Sequence, residues 1–496
     1  MILNELTVGV KIKKLLGSDN VRILGITHDS NQVNEGFLFA AIKGETTDGH
    51  TFIRQAVDRG ARALLVETMD GIDLGDVSVI LVEDSRSSLA QISSNFYNHP
   101  AKELKIVGIT GTNGKTTTTY LLESILEHDK KNVGVIGTVE HRYRGKKVTS
   151  NMTTPESVDL MAMLRDMRRS GVEYVVMEVS SHALDKNRVL GCDFDVAVFT
   201  NLSQDHLDYH KTLDNYFTAK KRLFTEVLIR SGKRPISSVI NVDDIYGRKL
   251  VEESAGNIIS YSIDDRSATV FADETRLTND GIVSRVRTPW GKIDIRSNLL
   301  GRHNLSNILA ATASALSLGV SSDSIEEGVS SLSSIPGRLE RVDNKLGISV
   351  LVDYAHTPDA LKNVLQVVKP LTRGKLILVF GCGGDRDPIK RPIMGRIGRE
   401  LSDILIVTSD NPRTESPEKI IADIEIGVME GGSIEKTYFR MIDRRSAIQK
   451  AIEIASEGDS VLIAGKGHED YQIVGKVKNP FDDREVAKNK IKEMAG

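Results

Sequence analysis

Short runs of apolar, β-branched residues recur along the chain, separated by longer stretches in which apolar residues return every three or four positions. The first pattern marks strands buried on both faces and the second amphipathic helices. In alternation they predict parallel sheets covered by helices on both faces. In the first hundred residues VRILGIT (21–27), GFLFAAI (36–42), ARALLVE (61–67) and VSVILVED (77–84) read as strands. The helical pattern SLAQISSNFYNHP (88–100) follows, and Pro100 suggests its end, which places a boundary near 101–103.

The next stretch opens with KIVGIT (105–110), the glycine-rich GTNG (111–114) and the helix-like KTTTTYLLESILEHD (115–129). YVVMEV (174–179), VAVFTNL (196–202) and SSVINVDD (237–244) continue as buried strands. Residues 260–300, with YSI, TVFADETRL and WGKIDIRSNLLG, read as a β excursion ahead of the helical HNLSNILAATASALSLG (303–319). The Ser-rich, Pro-Gly turn SSLSSIPGR (330–338) marks a second boundary near 336. Beyond it ISVLVDYA, KLILVFG, DILIVTSD and SVLIAG alternate with helices such as PEKIIADIEIGVMEG, a third doubly wound unit. The expectation is an α/β chain of three domains, 1–102, 103–336 and 337–496. A length of 496 residues agrees, since single cores stop growing at roughly 250–300 residues.

Charge narrows the partners. With 65 basic against 68 acidic residues the chain has a formal net charge of −3, so no global basic field exists to hold a nucleic-acid backbone. Any phosphate must be gripped by a local site. The start, MILNELTVGVKIKK, lacks the pattern of a signal peptide, and no run approaches the ~18–20 apolar residues that cross a bilayer. Cys192 and Cys382 stand far apart with no CxxC or Cys/His cluster, which argues against a zinc site or a disulfide framework. A reduced cytoplasmic enzyme without membrane or nucleic-acid partners is expected.

One motif carries strong chemistry. A strand, the loop of Gly111, Thr112, Asn113 and Gly114, and a helix opened by Lys115, Thr116 and Thr117 form a phosphate-binding arrangement. In such loops the lysine reaches the β/γ-phosphates and the hydroxyl after it ligates Mg²⁺, roles that fall to Lys115 and Thr116. The strict pattern asks for glycine where this chain has Ile109, so the loop is a Gly-x-x-Gly-Lys-Thr variant. ATP or GTP binding follows.

Glu178 ends an apolar strand, at the edge where open α/β sheets bind ligands, and suits a second Mg²⁺ ligand. The polar segment NLSQDHLDYH (201–210) follows a buried strand and reads as an active-site loop, with His206 and His210 as candidate metal or phosphate partners. Lys220, placed at the start of a helix-like run, reads from chemistry alone as an exposed lysine.

At GTNGKTT, TTP (153–155), MEVSSHAL, NLSQDHLDYH, GRHNLSN, DYAHTPDAL, GCGGDRD, DNPRTESP and AGKGHEDYQ the chain resembles the Mur ligase family. The N-terminal HDSNQVNEGFLFAAIKG fits that family's uridine-nucleotide domain, so the resemblance covers nearly the whole chain. It implies a uridine-nucleotide-binding α/β domain, a central P-loop ATPase-type parallel sheet and a C-terminal Rossmann-like, amino-acid-binding domain. It also implies an ATP-dependent ligation onto UDP-N-acetylmuramoyl-L-alanyl-D-glutamate through an acyl phosphate on the D-glutamate γ-carboxylate. DNPR resembles the form that adds meso-diaminopimelate rather than L-lysine.

By matching positions, the resemblance gives Lys115 to the phosphates, Thr116 and Glu178 to one Mg²⁺, and His206 to a second metal and the γ-phosphate. Lys220 matches a lysine carried as a carbamate, an oxygen donor for Mg²⁺. Asn304, Arg338 and Asp353 match ATP contacts. Ser30 matches a uridine-side contact, and Thr153, Thr154, Ser180 and Arg188 match contacts to the muramoyl-peptide. Arg386, Asp410, Asn411, Pro412, Arg413, Gly465 and Glu469 match the amino-acid pocket, where Arg413 suits the distal carboxylate of diaminopimelate and Glu469 its ammonium. Position 186 is Lys where some relatives have Gln, which leaves the sugar-side contact there open. A monomer is expected. The rival readings are the same ligation with L-lysine, a folylpolyglutamate-synthase-like ligase, and a P-loop ATPase switch.

Overall fold

The computed structural model describes residues 1–44, 47–69, 75–150, 152–278, 281–430 and 437–495. Three large sheets follow one another along the chain, each with an apolar core on both faces. The α/β class and the layered architecture are those the alternating pattern predicts.

The first sheet runs in the order Ile12–Leu16, Ser78–Val82, Ala63–Val66, Phe37–Ala40, Gly25–Thr27. Its strands are parallel except Ile12–Leu16, which lies antiparallel on one edge. The apolar-run criterion misses that edge strand, because Ile12–Leu16 is exposed over its first three residues; lysines on an edge also discourage pairing with another chain.

The second sheet has eleven strands, and the parallel sheet expected there carries antiparallel strands at both of its edges. Its middle, from Val270–Thr278 through Asn257–Ser262, Ser237–Asn241, Val196–Phe199, Lys105–Thr110 and Tyr174–Glu178 to Val133–Ile136, is parallel. Two antiparallel strands close each side, Gly281–Thr288 with Gly291–Ser297 on one and Glu140–Tyr143 with Lys146–Thr149 on the other. The β excursion is therefore an extension of the sheet. Its last strand alternates buried and exposed residues, as a sheet with one wet face requires. Lys105–Thr110 lies between Val196–Phe199 and Tyr174–Glu178, so the three ends that carry the phosphate loop, the 201–210 segment and Glu178 are neighbours.

The third sheet runs Glu340–Arg341, Ser349–Asp353, Ser460–Ala464, Leu376–Phe380, Ile404–Val407, Thr437–Arg440, parallel apart from the first short strand. Every residue of Leu376–Phe380, Ile404–Val407 and Ser460–Ala464 is buried, which is why these read as unbroken apolar runs. One feature escapes the pattern: the small hairpin Tyr471–Val474/Val477–Pro480. Among the described residues no helix is long and apolar enough to cross a membrane.

Candidate active site

The phosphate loop forms as its residues predict: strand Lys105–Thr110, a four-residue turn, then helix Lys115–His128. Gly114 sits at φ +87°, and a Cβ there would come 2.3 Å from Asn307 Oδ1, so the loop and the helix Arg302–Ser317 meet at a place only glycine allows. Lys115 Nζ folds back over the loop and donates to Gly111 O (2.9 Å) and Thr112 O (2.8 Å). Burial pushes its pKa down, against the attraction of Glu178 and Asp205. Thr117 is buried one residue further along the helix. Asn201 ties the turn to the next strand end, accepting from Thr112 N through its carbonyl (2.8 Å) and from Asn113 N through Oδ1 (2.9 Å).

Glu178 is buried and accepts from Thr116 Oγ1 at 3.1 Å on each carboxylate oxygen. Thr138, absent from the sequence reading, donates to it twice, through its backbone N (2.9 Å) and its hydroxyl (2.9 Å). No sequence signal marks Thr138, because it lies in an ordinary turn brought here by the sheet.

Lys220 corrects the sequence reading twice. It is near the end of the helix Leu213–Arg222 rather than at a start, and it is 1% exposed rather than solvated. Its Nζ donates to Gly111 O (2.8 Å) and lies 4.5 Å from the Tyr216 ring centroid. Burial holds its pKa well below the ordinary lysine value, and Lys115 nearby adds to the effect. Residues Leu223–Val227 continue that helix through a wider π-type turn, a feature that recurs at functional sites.

His206 has a left-handed backbone (φ +54°), its Nε2 3.4 Å from Asp205 Oδ2; desolvation in the cleft pushes its pKa down to about 4. Burial would raise Asp205, but His206, His356 and Lys390 outweigh it and hold the carboxyl below its ordinary range. His210 does not line the cavity at the phosphate loop; it stands behind Ser181 and Tyr216, which do, with Nε2 2.9 Å from Ser181 Oγ.

The third unit closes over the loop. Arg338 Nη2 donates to Thr116 Oγ1 (3.3 Å), and its guanidinium lies 4.9 Å from the Tyr354 ring centroid. Asp353 accepts from Leu339 N and Ala355 N, both at 2.8 Å, while burial pushes its carboxyl pKa up. Asn304 donates to Leu300 O (2.8 Å) and accepts from Asn307 (3.1 Å), which fixes the pair beneath the loop.

Thr154, Ser180 and Arg188 cluster behind Glu178. Thr154 Oγ1 donates to Glu178 O (2.8 Å) and accepts from Ser180 N (3.1 Å), while Arg188 Nη1 donates to Thr154 O (3.2 Å). Thr153 Oγ1 is 3.1 Å from Thr138 Oγ1. Glu156 pairs with both Arg188 (2.8 Å) and Arg86 (3.4 Å), linking the first unit to the second. Ser30 lies apart from this cluster, in the first unit, and donates to Gln55 Oε1 (3.0 Å).

The remaining predicted residues gather at strand ends of the third sheet. Asn411 Nδ2 donates to Glu469 Oε2 (2.8 Å), and Lys466, fully buried, donates to the same oxygen (2.9 Å) and to Asn411 Oδ1 (3.2 Å). Lys466 is a second residue the sequence reading missed, although it stands inside the quoted AGKGHEDYQ. Arg413 is held at φ +52°; its N donates to Ile473 O (3.1 Å), its O accepts from Gly475 N (2.7 Å), and Nη1 donates to Gly384 O (2.7 Å). The hairpin thus clamps the loop that carries Pro412 and Arg413. Arg386 is exposed at the rim.

A cavity of about 360 Å³ lies against Arg386, Asp410, Asn411, Arg413, Gly465 and Glu469, and one of about 150 Å³ against the phosphate loop, Glu178, Lys220 and Arg338. Both are bounded by Thr138, Thr153, Asp205, His206, Tyr354 and His356, so the two adjoin along a shared wall. Among the described residues no group of three or more His, Cys, Asp or Glu could hold a metal. The donor set at the loop, one buried carboxylate beside one hydroxyl, fits a hard cation that keeps phosphate and water among its ligands.

Three family models match in order: a Mur ligase family catalytic domain over residues 22–97, the Mur ligase middle domain over 109–315 and the Mur ligase glutamate ligase domain over 337–467. The chain is 46% identical to the UDP-N-acetylmuramoyl-L-alanyl-D-glutamate--2,6-diaminopimelate ligase of Geobacter metallireducens, covering 100% of this chain and 99% of that one. It is 48% identical to the protein of the same name from Geobacter sulfurreducens over 94% of each. A solved structure of a UDP-N-acetylmuramoyl-L-alanyl-D-glutamate--2,6-diaminopimelate ligase superposes with a TM-score of 0.70 at 31% identity, over 100% of this chain and 99% of that one. With the phosphate loop, the carboxylate beside it and the third unit folded over both, the chain belongs to the Mur ligase family of ATP-dependent, amide-bond-forming ligases.

Proposed function

We propose that this chain adds meso-diaminopimelate to UDP-N-acetylmuramoyl-L-alanyl-D-glutamate, with ATP becoming ADP and phosphate, in the synthesis of peptidoglycan precursors. The observation that carries the reading is that the phosphate-loop cavity adjoins the cavity bearing Arg386, Arg413 and Glu469, with six residues bounding both. A ligase needs that adjacency, because a carboxylate must meet a phosphoryl donor on one side and an amine on the other.

The γ-carboxylate of D-glutamate takes the γ-phosphoryl group, releasing ADP; the amine then attacks the acyl carbon, and the tetrahedral intermediate expels phosphate as the amide forms. Holding the three substrates in line supplies much of the rate, and preorganised charge supplies more. Lys115 and Arg338 approach the phosphates, Asn304 and Asp353 hold the nucleotide from the linker side, and the turn 111–114 with Thr117 frames it. Thr116 and Glu178 would hold Mg²⁺, with His206 at a second ion; bound there, the ions offset phosphate charge.

Lys220 serves as a carbamate in this reading. Burial and the nearby Lys115 favour the neutral form of its amine, the form that bonds to the carbon of CO₂ and releases a proton. The anion so formed sits beside the Lys115 ammonium and offers oxygen to a cation.

Ser30 takes the uridine side of the precursor, and Thr153, Thr154, Ser180 and Arg188 its muramoyl-peptide part. Residues 1–102, 103–336 and 337–496 are then the precursor, nucleotide and amino-acid domains of a monomeric cytoplasmic enzyme. Arg413 would pair with the distal carboxylate of diaminopimelate, for which L-lysine has no counterpart, and Glu469 and Asp410 with ammonium groups. The relatives' names and DNPR at 410–413 support diaminopimelate over L-lysine and over the folylpolyglutamate-type reaction. A P-loop switch has no use for the amino-acid cavity.

The test is phosphate release from ATP with the UDP-linked dipeptide, comparing meso-diaminopimelate with L-lysine. Release that requires both the dipeptide and diaminopimelate is expected. Preference for lysine would discard the role of Arg413, and release without either co-substrate would discard the ligase.

A further inference from the structure

Behind the amino-acid cavity lies an ion pair with no solvent contact. Arg444 opens the helix Arg444–Ile454, Asp483 opens the helix Asp483–Ala495, and both side chains are 0% exposed. Arg444 Nε donates to Asp483 Oδ1 (2.8 Å) and Nη2 to Oδ2 (2.7 Å). The same guanidinium reaches forward. Nη2 donates to Ala464 O (3.0 Å) and Nη1 to Ser409 O (3.4 Å).

Those two carbonyls immediately precede Gly465 and Asp410, the residues at which two strand ends enter the cavity. The two turns nearly touch: a Cβ on Gly465 would lie 2.6 Å from Asp410 Oδ2. The Asp410 carboxylate takes the space a side chain on Gly465 would need, and the group that bridges the two turns from behind is one planar fork fixed by its own counterion. A buried ion pair is a poor source of stability, since apolar residues of similar volume commonly do as well or better. Its cost is easier to understand if it holds a geometry that apolar packing would leave loose. Lysine, a point charge without the fork, would not span both carbonyls and the carboxylate.

We propose that Arg444, oriented by Asp483, is a positioning residue that sets the gap between the Asp410 and Gly465 turns and so the fit of the incoming amino acid. The proposal rests on the assignment of this cavity to the amino acid. It gives Arg444 no contact with substrate; the effect passes through the backbone of residues 409–410 and 464–465.

The test varies each substrate in turn in the phosphate-release assay, using full-length Arg444→Met/Asp483→Leu, which removes the charges as a unit, and Arg444→Lys. The amino acid is the one the unaltered chain uses. In both variants the KM for the amino acid should rise ~10-fold or more, as expected when a positioned group is loosened, while KM for ATP and the UDP-dipeptide stay within about twofold. A merely structural role would move the three KM values together or not at all, and either result overturns the proposal. Should the paired variant lose its cooperative unfolding transition, Arg444→Lys, which keeps charge and counterion, decides by the same ratio. An unaltered chain that works with no amino acid indicts the ligase reading instead.

Discussion

The phosphate end and the amino-acid end of the site, two adjoining cavities, are built in opposite ways. At the phosphate end one contiguous stretch, the turn 111–114 and the helix start 115–117, supplies the phosphate-gripping loop, and the lysines beside it point inward at the protein's own carbonyls: Lys115 and Lys220 both donate to Gly111 O. At the amino-acid end no segment supplies more than a few groups. Asp410 to Arg413 follow one strand, Gly465 to Glu469 another and Arg386 a third, and their spacing is kept by Lys466, Arg444 and the hairpin 471–480. The first end is a short motif that carries its own geometry; the second is a product of the sheet. Loss of a side chain should therefore stop chemistry at the first end and change selectivity or affinity at the second.

Lys115→Ala tests that contrast at its largest. Removing one preorganised charge from the transferring phosphoryl group should lower kcat by about 10²–10³-fold, with the amino-acid KM unmoved. A fall in amino-acid affinity of similar size would show that the two ends are not separable. Arg413→Ala should do the reverse. A hydrogen bond to a charged group contributes about 1.5–3 kcal/mol, so the KM for diaminopimelate should rise roughly 10- to 150-fold with kcat nearly kept. L-lysine, lacking the distal carboxylate, should be used no worse by the variant. Equal loss with both amino acids would break the assignment of Arg413 to that carboxylate.

The same contrast explains what the sequence made legible. The phosphate loop, Glu178 and the strands around them were readable because each depends on a local pattern: glycines before a helix, or a carboxylate ending an apolar run. The residues the reading missed depend on the fold. Thr138 reaches Glu178 only because Val133–Ile136 pairs with Tyr174–Glu178, 40 residues away along the chain. Lys220 looked exposed because an ammonium normally is, and only the packing of its helix under the phosphate loop makes it otherwise. Ile12–Leu16 and the hairpin 471–480 lack the apolar runs of interior strands, one being an edge and the other exposed over its second strand.

The seam between the two ends should respond to acid. Burial pushes His356 down to about 4 and His468 to about 3, while in an unfolded chain a histidine titrates near 6.5. The unfolded state therefore binds protons first as pH falls. The stability these neutral histidines contribute is fully present above about pH 6.5 and is lost progressively as pH drops through about 4. Tm should be flat above neutrality and fall between pH 6.5 and 4. His356→Gln and His468→Gln should flatten that fall, and a slope unchanged in both would assign the acid sensitivity to other groups.

The smallest effect expected lies at Thr138, which tests whether the phosphate end is as self-sufficient as its motif suggests. Thr138 orients Glu178 through a backbone bond that any residue would keep and a hydroxyl bond that only serine or threonine supplies. Thr138→Val keeps the backbone bond and removes the hydroxyl, with its bonds to Glu178 and Thr153, at a volume close to the original. A single hydrogen bond contributes about 0.5–1.5 kcal/mol, so the Mg²⁺ concentration needed for half-maximal rate should rise roughly 2- to 12-fold, and Thr138→Ser should restore it. The amino-acid KM should stay put, even though Thr138 borders both cavities, because its bonds run to Glu178 and Thr153. If diaminopimelate affinity moves instead, Thr138 belongs to the amino-acid end, and the boundary between a self-contained motif and a fold-built pocket lies nearer the phosphates than Glu178.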